Sequence, residues 1–316
     1  MKPVIYITRK LPEQAIAELQ PSYEVRMWPE TENPVPREVL LEEVKEAHAL
    51  WTMLSDQADR ELFEAAPNLK IISNLAVGYN NIDLDAAREN GVVVTNTPDV
   101  LTETTADLAF ALLLATARRI IEAEQTVRSG EWKSWTPMGM TGQDVYGATL
   151  GIIGMGRIGE GVARRAQGFN MEVLYHNRTR KSLEDVKYAE LDDLLKKSDF
   201  VVVLTPLTEE TKGMIGAREL SLMKETACLI NVARGGIVDE DALYEALKAN
   251  SIWAAGLDVF EQEPLPTDHP LLTLSNLTVL PHIGSAGIQT RLAMMKLNAE
   301  AIAACLGGKP VKNRVC

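Results

Sequence analysis

The chain contains 316 residues, 46% of them hydrophobic, and its 44 acidic and 32 basic side chains give a formal net charge of −12. This length and apolar content predict two domains with one core each. The acidic balance argues against nucleic acid or an anionic membrane as a partner. The three cysteines have neither metal-binding nor redox spacing, so we expect no metal site. The N-terminal residues lack the layout of a signal peptide, and we expect a cytoplasmic protein.

In the first hundred residues, short β-branched runs alternate with helical patterns, which is typical of an α/β domain with a parallel sheet. Strands are predicted at Val4–Thr8, Tyr23–Met27, Ala49–Met53, Ile71–Asn74 and Val92–Asn96, and helices at Glu13–Leu19, Arg37–Ala47, Asp59–Ala65 and Leu84–Asn90. A long helix is then predicted from Thr102 to Ser129, with Gly130 as its stop. Its most apolar part, Ala106–Ile121, is too short and too charged to span a membrane, so we predict a buried core helix.

A second unit begins at Thr149–Ile153 and repeats the alternation. Further strands are predicted near Glu172–Tyr175, Phe200–Leu204, Cys228–Asn231, Ala254–Leu257 and Leu277–Leu280, followed by a last helix at Gln289–Leu306. A glycine-rich turn follows the first of these strands, in the middle of the chain. We therefore predict an α/β fold with two doubly wound parallel sheets. A Rossmann cofactor domain, residues 99–288, would be inserted into a flavodoxin-like substrate domain made of residues 1–98 and 289–316.

The glycine-rich turn, Gly154-Met155-Gly156-Arg157-Ile158-Gly159, fits the pattern GxGxxG between a strand and the helical segment Glu160–Gln167. Gly154 would permit the tight turn, Gly156 the approach of a pyrophosphate to the backbone, and Gly159 the packing of helix on strand. Amides at the helix N-terminus, from Arg157 and Ile158 onward, would face the phosphates. The alternative is an ordinary glycine-containing turn, but the flanking strand and helix favour a dinucleotide site.

The next strand ends at Asn177, eighteen residues after Gly159, where a site selective for NAD usually has an acidic residue. Here the sequence runs Asn177-Arg178-Thr179-Arg180-Lys181. A missing acid and nearby guanidinium groups are what a 2′-phosphate needs. We predict NADP(H) as the preferred cofactor, with NAD(H) also possible; the alternative is a solvated basic loop.

Reduction of a 2-oxo acid requires a group that holds the carboxylate, a proton donor for the carbonyl oxygen and a positioned hydride donor. Arg234 follows the strand Cys228–Asn231 and offers a fork for carboxylate oxygens. His282 follows the strand Leu277–Leu280, and Glu263 is available as a carboxylate partner that favours the protonated imidazole. Asp258, at a strand end, would support the nicotinamide or fix its loop.

Seven segments in order resemble the D-isomer-specific 2-hydroxyacid dehydrogenases, and among them the glyoxylate/hydroxypyruvate reductases. The segments are Asn74–Asp83, Asn96–Asp99, Thr104–Ala109, Gly154–Gly159, Asn231–Gly236, Gly256–Pro264 and Pro281–Ser285. The resemblance implies that Arg234 binds substrate, His282 donates the proton and Glu263 is its partner. It also implies that the amides of Val77 and Gly78 hold the substrate carboxylate and that Leu54 lines the substrate pocket.

Further cofactor contacts are implied by the same resemblance, at Thr105, Thr205, Pro206, Thr211, Val232, Ala233, Asp258, His282 and Gly284. The family is typically dimeric through the region after Thr102, so we expect a homodimer acting on a small 2-oxo or 2-hydroxy acid. A non-catalytic, dinucleotide-sensing corepressor of the same superfamily is the alternative from another functional class. Dehydrogenases for 2-ketogluconate or 3-phosphoglycerate are the alternatives within the enzymes.

Overall fold

The computed structural model describes residues 2–316, which divide into two compact units: residues 2–101 with Ala286–Cys316, and Thr102–Ser285. In the first unit, strands β1 to β5 are Val4–Ile7, Glu24–Met27, Ala49–Thr52, Ile71–Asn74 and Val93–Thr95. Helices α1 to α4 are Glu13–Ile16, Arg37–Glu43, Arg60–Ala65 and Leu84–Glu89. The sheet is parallel throughout, in the order β2-β1-β3-β4-β5. This is the flavodoxin-like order, as predicted.

The second unit begins with helices α5, Thr102–Ala117, and α6, Ile120–Arg128. Its strands β6 to β12 are Thr149–Ile153, Glu172–His176, Lys187–Tyr188, Phe200–Val203, Cys228–Asn231, Ala254–Leu257 and Leu277–Val279. Its remaining helices α7 to α10 are Arg157–Gln167, Leu191–Lys197, Ala217–Leu222 and Glu240–Lys248. The last helix of the chain, α11 (Ile288–Leu306), packs against β3, β4 and β5 of the first unit.

The sheet of the second unit is also parallel and has the order β12-β11-β10-β9-β6-β7-β8. The chain leaves β6 in one direction toward β7 and later returns to β9 on its other side. The carboxyl ends of β6 and β9 therefore form the topological switch point, where open α/β sheets bind ligands. Central strands such as β9, with the sequence FVVV, are buried along their whole length because helices cover both faces. Two parallel α/β sheets confirm the predicted fold class.

The predicted long helix from Thr102 to Ser129 is wrong in one respect, because it is broken after Ala117. The carbonyl oxygen of Ala117 accepts a hydrogen bond from Gln143 N at 2.8 Å, so it caps rather than continues the helix. Arg119 then has a left-handed backbone with φ of 52°. Ile120 and Ile121, predicted to be core, lie beyond the break and are exposed. Gly130, the predicted stop, has φ of 73° just after α6 ends.

Sequence patterns also missed the two-residue strand β8 and did not identify helices α8, α9 and α10. Cys228 lies fully buried in β10, and burial raises the pKa of its thiol to about 12. Among residues 2–316, no helix combines the length and the apolar character that crossing a membrane requires.

Candidate active site

The glycine-rich turn after β6 has a different spatial requirement at each glycine. Gly154 has φ of 102°, and a Cβ there would lie 2.6 Å from the Leu204–Thr205 peptide. A Cβ on Gly159 would lie 2.6 Å from the carbonyl oxygen of Gly154. Gly156, by contrast, has no heavy atom within 4 Å of where its Cβ would stand. Backbone contacts thus explain the first and third glycines, and open space in front of the α7 N-terminus remains for a ligand at the second.

Helix α7 starts directly after Gly156 without a side-chain cap, so its first-turn amides at Arg157, Ile158 and Gly159 face the same space. An uncapped helix start beside a glycine cradle suits a diphosphate. The structure therefore fits a dinucleotide at the place where the sequence predicted one.

Asn177, at the end of β7, makes two hydrogen bonds to the glycine-rich turn. Its Oδ1 accepts from Met155 N at 2.6 Å, and its Nδ2 donates to Met155 O at 3.3 Å. Its side chain thus supports the turn. The following Arg178, Thr179 and Arg180 are exposed.

The two arginines of this loop are close to acidic groups. Arg180 donates to Glu190 Oε1 at 3.1 Å, and its guanidinium lies 4.0 Å from the centre of the Tyr188 ring. Tyr188 itself donates to the other oxygen of Glu190 at 3.1 Å. The positive charge of Arg178 contributes to a lowered pKa of Glu210, although a hydrogen bond from Thr208 is the larger cause.

A second loop at the switch point follows β9 and carries Thr205, Pro206 and Thr211. The hydroxyl of Thr211 donates to Pro206 O at 2.7 Å and accepts from Thr208 N at 2.8 Å. Thr211 thus closes the loop on itself, while Pro206 is exposed and Thr205 half-buried beside Gly154.

The turn after β10 is shaped by Asn231, a residue that the sequence analysis did not single out as functional. Its Oδ1 accepts from Ala233 N at 3.0 Å, and its Nδ2 donates to Arg234 O at 3.0 Å. These bonds fold residues Val232–Arg234 back over the strand end. Arg234 is half-buried, and burial lowers its pKa while the nearby Glu263 charge opposes that shift. A guanidinium remains charged at any physiological pH.

Gly235 brings this turn into direct contact with the loop after β11. A Cβ on Gly235 would lie 1.8 Å from Phe260 O, which leaves no room for any side chain. The loop thus contacted includes Glu263, whose Oε1 accepts from Phe260 N at 3.0 Å.

Glu263 and His282 are joined by a hydrogen bond of 2.7 Å between Oε2 and Nδ1. Burial raises the pKa of the Glu263 carboxyl, but the bond and charge of His282, the Phe260 amide and the Arg234 charge together lower it below its ordinary value. The carboxylate is therefore ionised near neutral pH and accepts the Nδ1 proton. This leaves Nε2 as the imidazole atom that can exchange a proton with a substrate.

Asp258, at the end of β11, positions the segment that carries His282. Its Oδ1 accepts from Ile283 N at 2.7 Å, which ties the end of β11 to this segment. Its Oδ2 is buried next to the Gly284 amide, which opposes the upward shift that burial gives to the pKa of this carboxyl. A Cβ on Gly284 would lie 3.4 Å from this oxygen and 3.5 Å from Thr105. A buried carboxylate oxygen beside two predicted cofactor residues fits a ligand that donates a hydrogen bond.

In the first unit, the predicted substrate residues lie at the carboxyl edge of the sheet. Leu54 follows β3, and Val77 and Gly78 follow β4; all three are half-buried. Asp56 fixes the turn around Leu54, because its carboxylate accepts from the Thr8 hydroxyl and, at 2.7 Å, from Met53 N.

Residues 110–284 match the family described as D-isomer specific 2-hydroxyacid dehydrogenase, NAD binding domain. A glyoxylate reductase from Thermococcus gammatolerans is 54% identical over 98% of this chain and 94% of its own length. The chain belongs to the D-isomer specific 2-hydroxyacid dehydrogenase family.

Solved structures extend this similarity over the whole dehydrogenase. A protein from Thermus thermophilus has a TM-score of 0.94 at 44% identity and covers 99% of this chain and 100% of that one. An NADPH-dependent glyoxylate/hydroxypyruvate reductase from Sinorhizobium meliloti, solved with NADP and malonate, has a TM-score of 0.87 at 34% identity. The alignment covers 100% of this chain and 97% of that one.

These similarities confirm the resemblance and the predicted class of reaction. The dehydrogenase is an enzyme that reduces 2-oxo acids with a nicotinamide dinucleotide. The relatives are named as reductases, which favours the enzyme over the corepressor-like alternative.

Proposed function

We propose that this dehydrogenase reduces glyoxylate and hydroxypyruvate to the corresponding 2-hydroxy acids, with NADPH preferred over NADH. The observation that carries the proposal is the bonded pair of Glu263 and His282 in a unit that also places Arg234 within the electrostatic reach of Glu263. Together the three residues provide a proton donor, His282, and a cation that can bind the substrate carboxylate, Arg234. The glyoxylate reductase name of the 54% identical relative supports the choice of a small substrate.

Each of the three side chains has one task in the proposed reaction. Arg234 binds the substrate through its guanidinium fork and holds the carbonyl in one orientation. His282 gives a proton from Nε2 to the carbonyl oxygen, and Glu263 holds the imidazole in the required orientation through Nδ1. The bound dinucleotide supplies the hydride that the carbonyl carbon receives.

The residues that would hold the dinucleotide are distributed along the switch point of the second sheet. The amides around Gly156 suit the diphosphate, and Asp258 Oδ2 suits a carboxamide donor. Further proposed contacts are Thr105, Thr205, Pro206, Thr211, Val232, Ala233 and Gly284. Arg178, Thr179 and Arg180 would recognise the 2′-phosphate, with Asn177 replacing the acid that repels it.

The direct test is a panel of 2-oxo acids assayed with NADPH and with NADH. We expect the highest kcat/KM for glyoxylate or hydroxypyruvate with NADPH. A higher value for 2-ketogluconate or 3-phosphohydroxypyruvate would contradict the proposed substrate, and a higher value with NADH would contradict the proposed cofactor preference. If the intact protein bound NADPH but reduced none of these acids, the proposed activity would be wrong.

We further propose that the enzyme is a homodimer through an apolar arm, which we define as residues 120–146. Trp132, Trp135, Met138 and Tyr146 are between 64% and 78% exposed, and Ile120, Ile121 and Val127 are also exposed. Exposed aromatic and Met side chains are enriched at protein interfaces. Each copy would cover the arm of the other.

The dimer has its own test, because a charge in its interface leaves the fold of each unit intact. Trp135→Glu should lower the mass in sedimentation equilibrium from two chains to one at micromolar concentration. Lys248→Glu, an exposed lysine of α10 outside the arm, is the control. A wild-type protein that sediments as a monomer would contradict the proposal.

The cytoplasmic location also stays a prediction, to be checked by cell fractionation.

A further inference from the structure

The loop after β4 has three successive carbonyl groups that are all held by donors of the first unit. Ala76 O accepts from Thr97 N at 2.9 Å, and Val77 O accepts from Asn96 Nδ2 at 2.8 Å. Gly78 O accepts from Asn74 Nδ2 at 2.9 Å. The donors come from the ends of β4 and β5, which are neighbours in the sheet.

These bonds determine where the amides of the loop point. The peptide bonds of this loop are trans, and in a trans peptide the N–H points away from the carbonyl oxygen of the same unit. The N–H groups of Val77, Gly78 and Tyr79 are therefore turned away from Thr97, Asn96 and Asn74 respectively. Within residues 2–316, none of these three amides has a hydrogen-bond acceptor. Successive main-chain amides without a protein acceptor are suited to an anion.

We propose that Asn96 is a positioning residue that fixes the direction of the Gly78 amide for recognition of the substrate carboxylate. The inference rests on the proposed function, because it assumes that this amide and that of Val77 bind the carboxylate. The Val77 amide is oriented by the bond from the main-chain N–H of Thr97 to Ala76 O, and almost any residue at position 97 would supply that N–H. The Gly78 amide, by contrast, depends on one side chain, since only the Asn96 carboxamide reaches Val77 O among the described residues.

The charge of the protein makes this orientation important. With a formal net charge of −12, the chain as a whole repels a small carboxylate, so local donors have to provide the attraction. A dipole attracts an anion only when it is held in the right direction. Asn96 itself is held at its backbone, where its N–H donates to Asn313 O at 3.3 Å next to β5.

The test compares Asn96→Ala with the wild type in binding of oxalate, a dicarboxylate that substrates of this kind resemble. We expect KM for glyoxylate and the inhibition constant for oxalate to rise about tenfold, the size of a weakened charge-assisted hydrogen bond. The dissociation constant of NADPH, measured by its own fluorescence, should stay within twofold. A generally damaged protein would lose both affinities together.

Asn90→Ala is the matched control. Its side-chain amide also donates to a main-chain carbonyl of the first unit, Ala86 O at 2.9 Å, but at the end of α4. This variant should leave oxalate inhibition unchanged. If Asn96→Ala fails to fold, Asn96→Asp provides the same test, because it keeps the size and replaces the donor with a carboxylate oxygen.

Two results would overturn the inference: a folded Asn96 variant whose oxalate inhibition stays within twofold of wild type, or equal losses of oxalate and NADPH affinity. Failure of the proposed function would be recognised separately, since the wild type would then reduce no glyoxylate. Oxalate binding would still report on the carboxylate site in that case.

Discussion

Two corners of the second unit, both at the carboxyl edge of its sheet, differ in how their charged groups are held. At the first, Glu263 and His282 are bonded at 2.7 Å, with 28% and 21% of their side chains exposed, and Asp258 holds the adjoining backbone. At the second, Arg180 and Glu190 are bonded at 3.1 Å with 69% and 67% exposed. The Glu263–His282 pair is fixed by several partners, whereas the Arg180–Glu190 pair is exposed to solvent.

In the proposed function the first corner carries the chemistry and the second the choice of cofactor, so the two tasks use different physical strategies. A proton donor has to be within bonding distance of its target in one orientation, so its partners are fixed before substrate arrives. Discrimination between two cofactors needs only a difference in binding free energy. An exposed ion pair contributes about 0–1 kcal/mol, so it can open at little cost when a phosphate competes for the arginine. The following predictions test this comparison.

The largest effect is expected at the fixed corner. His282→Ala should lower kcat for glyoxylate by about 10²–10⁴, the usual contribution of a general acid. Steady-state kinetics with saturating NADPH would measure it. His48→Ala is the control, because His48 only accepts a bond from Val4 N at 3.2 Å in the other unit. Near-native turnover of the His282 variant would rule out the proposed proton donor.

At the exposed corner, Arg178→Ala combined with Arg180→Ala should raise KM for NADPH far more than KM for NADH. Charge-assisted bonds of this kind contribute about 1.5–3 kcal/mol each, or roughly ten- to a hundredfold. Arg218→Ala removes an equally exposed arginine, paired with Asp192 and Glu219, and serves as the control. Equal losses for both cofactors would indicate that the loop is merely solvated.

Glu263→Gln should lower kcat/KM for glyoxylate about tenfold at neutral pH, because a neutral amide replaces the charged acceptor of the His282 Nδ1 hydrogen bond. The pKa of the Glu263 carboxyl lies below its ordinary value of 4.5, so the wild type keeps the carboxylate at neutral pH and loses it only in acid. The variant thus removes the charge at every pH. An unchanged kcat/KM at neutral pH would show that Glu263 only packs the loop.

The smallest effect is expected at Glu190, which bonds Arg180 and would compete for it with the 2′-phosphate of the proposed cofactor. Glu190→Gln removes the competing charge, so KM for NADPH should fall about two- to fivefold, consistent with an exposed pair. KM for NADH should not change, since NADH has no 2′-phosphate. A rise in KM for NADPH would mean that Glu190 holds Arg180 in place for the cofactor rather than away from it.

Much of this arrangement followed from the order of strands in the sequence. In parallel sheets the carboxyl ends of the strands meet at one edge, so Arg234, Glu263 and His282 could be assigned to one place from the strands they follow. Other features depend on contacts between distant segments. The break after Ala117 depends on Gln143. The pairing of Arg180 with Glu190 depends on the placement of β8, a strand of only two residues that precedes Glu190. Neither leaves a periodic signal in the sequence.

The roles of the asparagines were missed for a similar reason. Asn96 and Asn231 each follow a strand, where such residues commonly fold a turn on their own. Asn231 does so with the next three residues, whereas Asn96 reaches across to the loop after β4. Only the order of β4 and β5 in the sheet distinguishes the two roles.

The contact of Gly235 with the Phe260–Glu261 peptide limits how this enzyme can be redesigned. Libraries that change substrate choice usually vary one loop while leaving its neighbours alone. Here the turn with Arg234 and the loop with Glu263 share a single backbone-to-backbone boundary, in which even one methyl group has no space. Insertions or bulky replacements on either side would displace the other, so the two segments have to be exchanged together, as one module, when a pocket is transplanted from a relative.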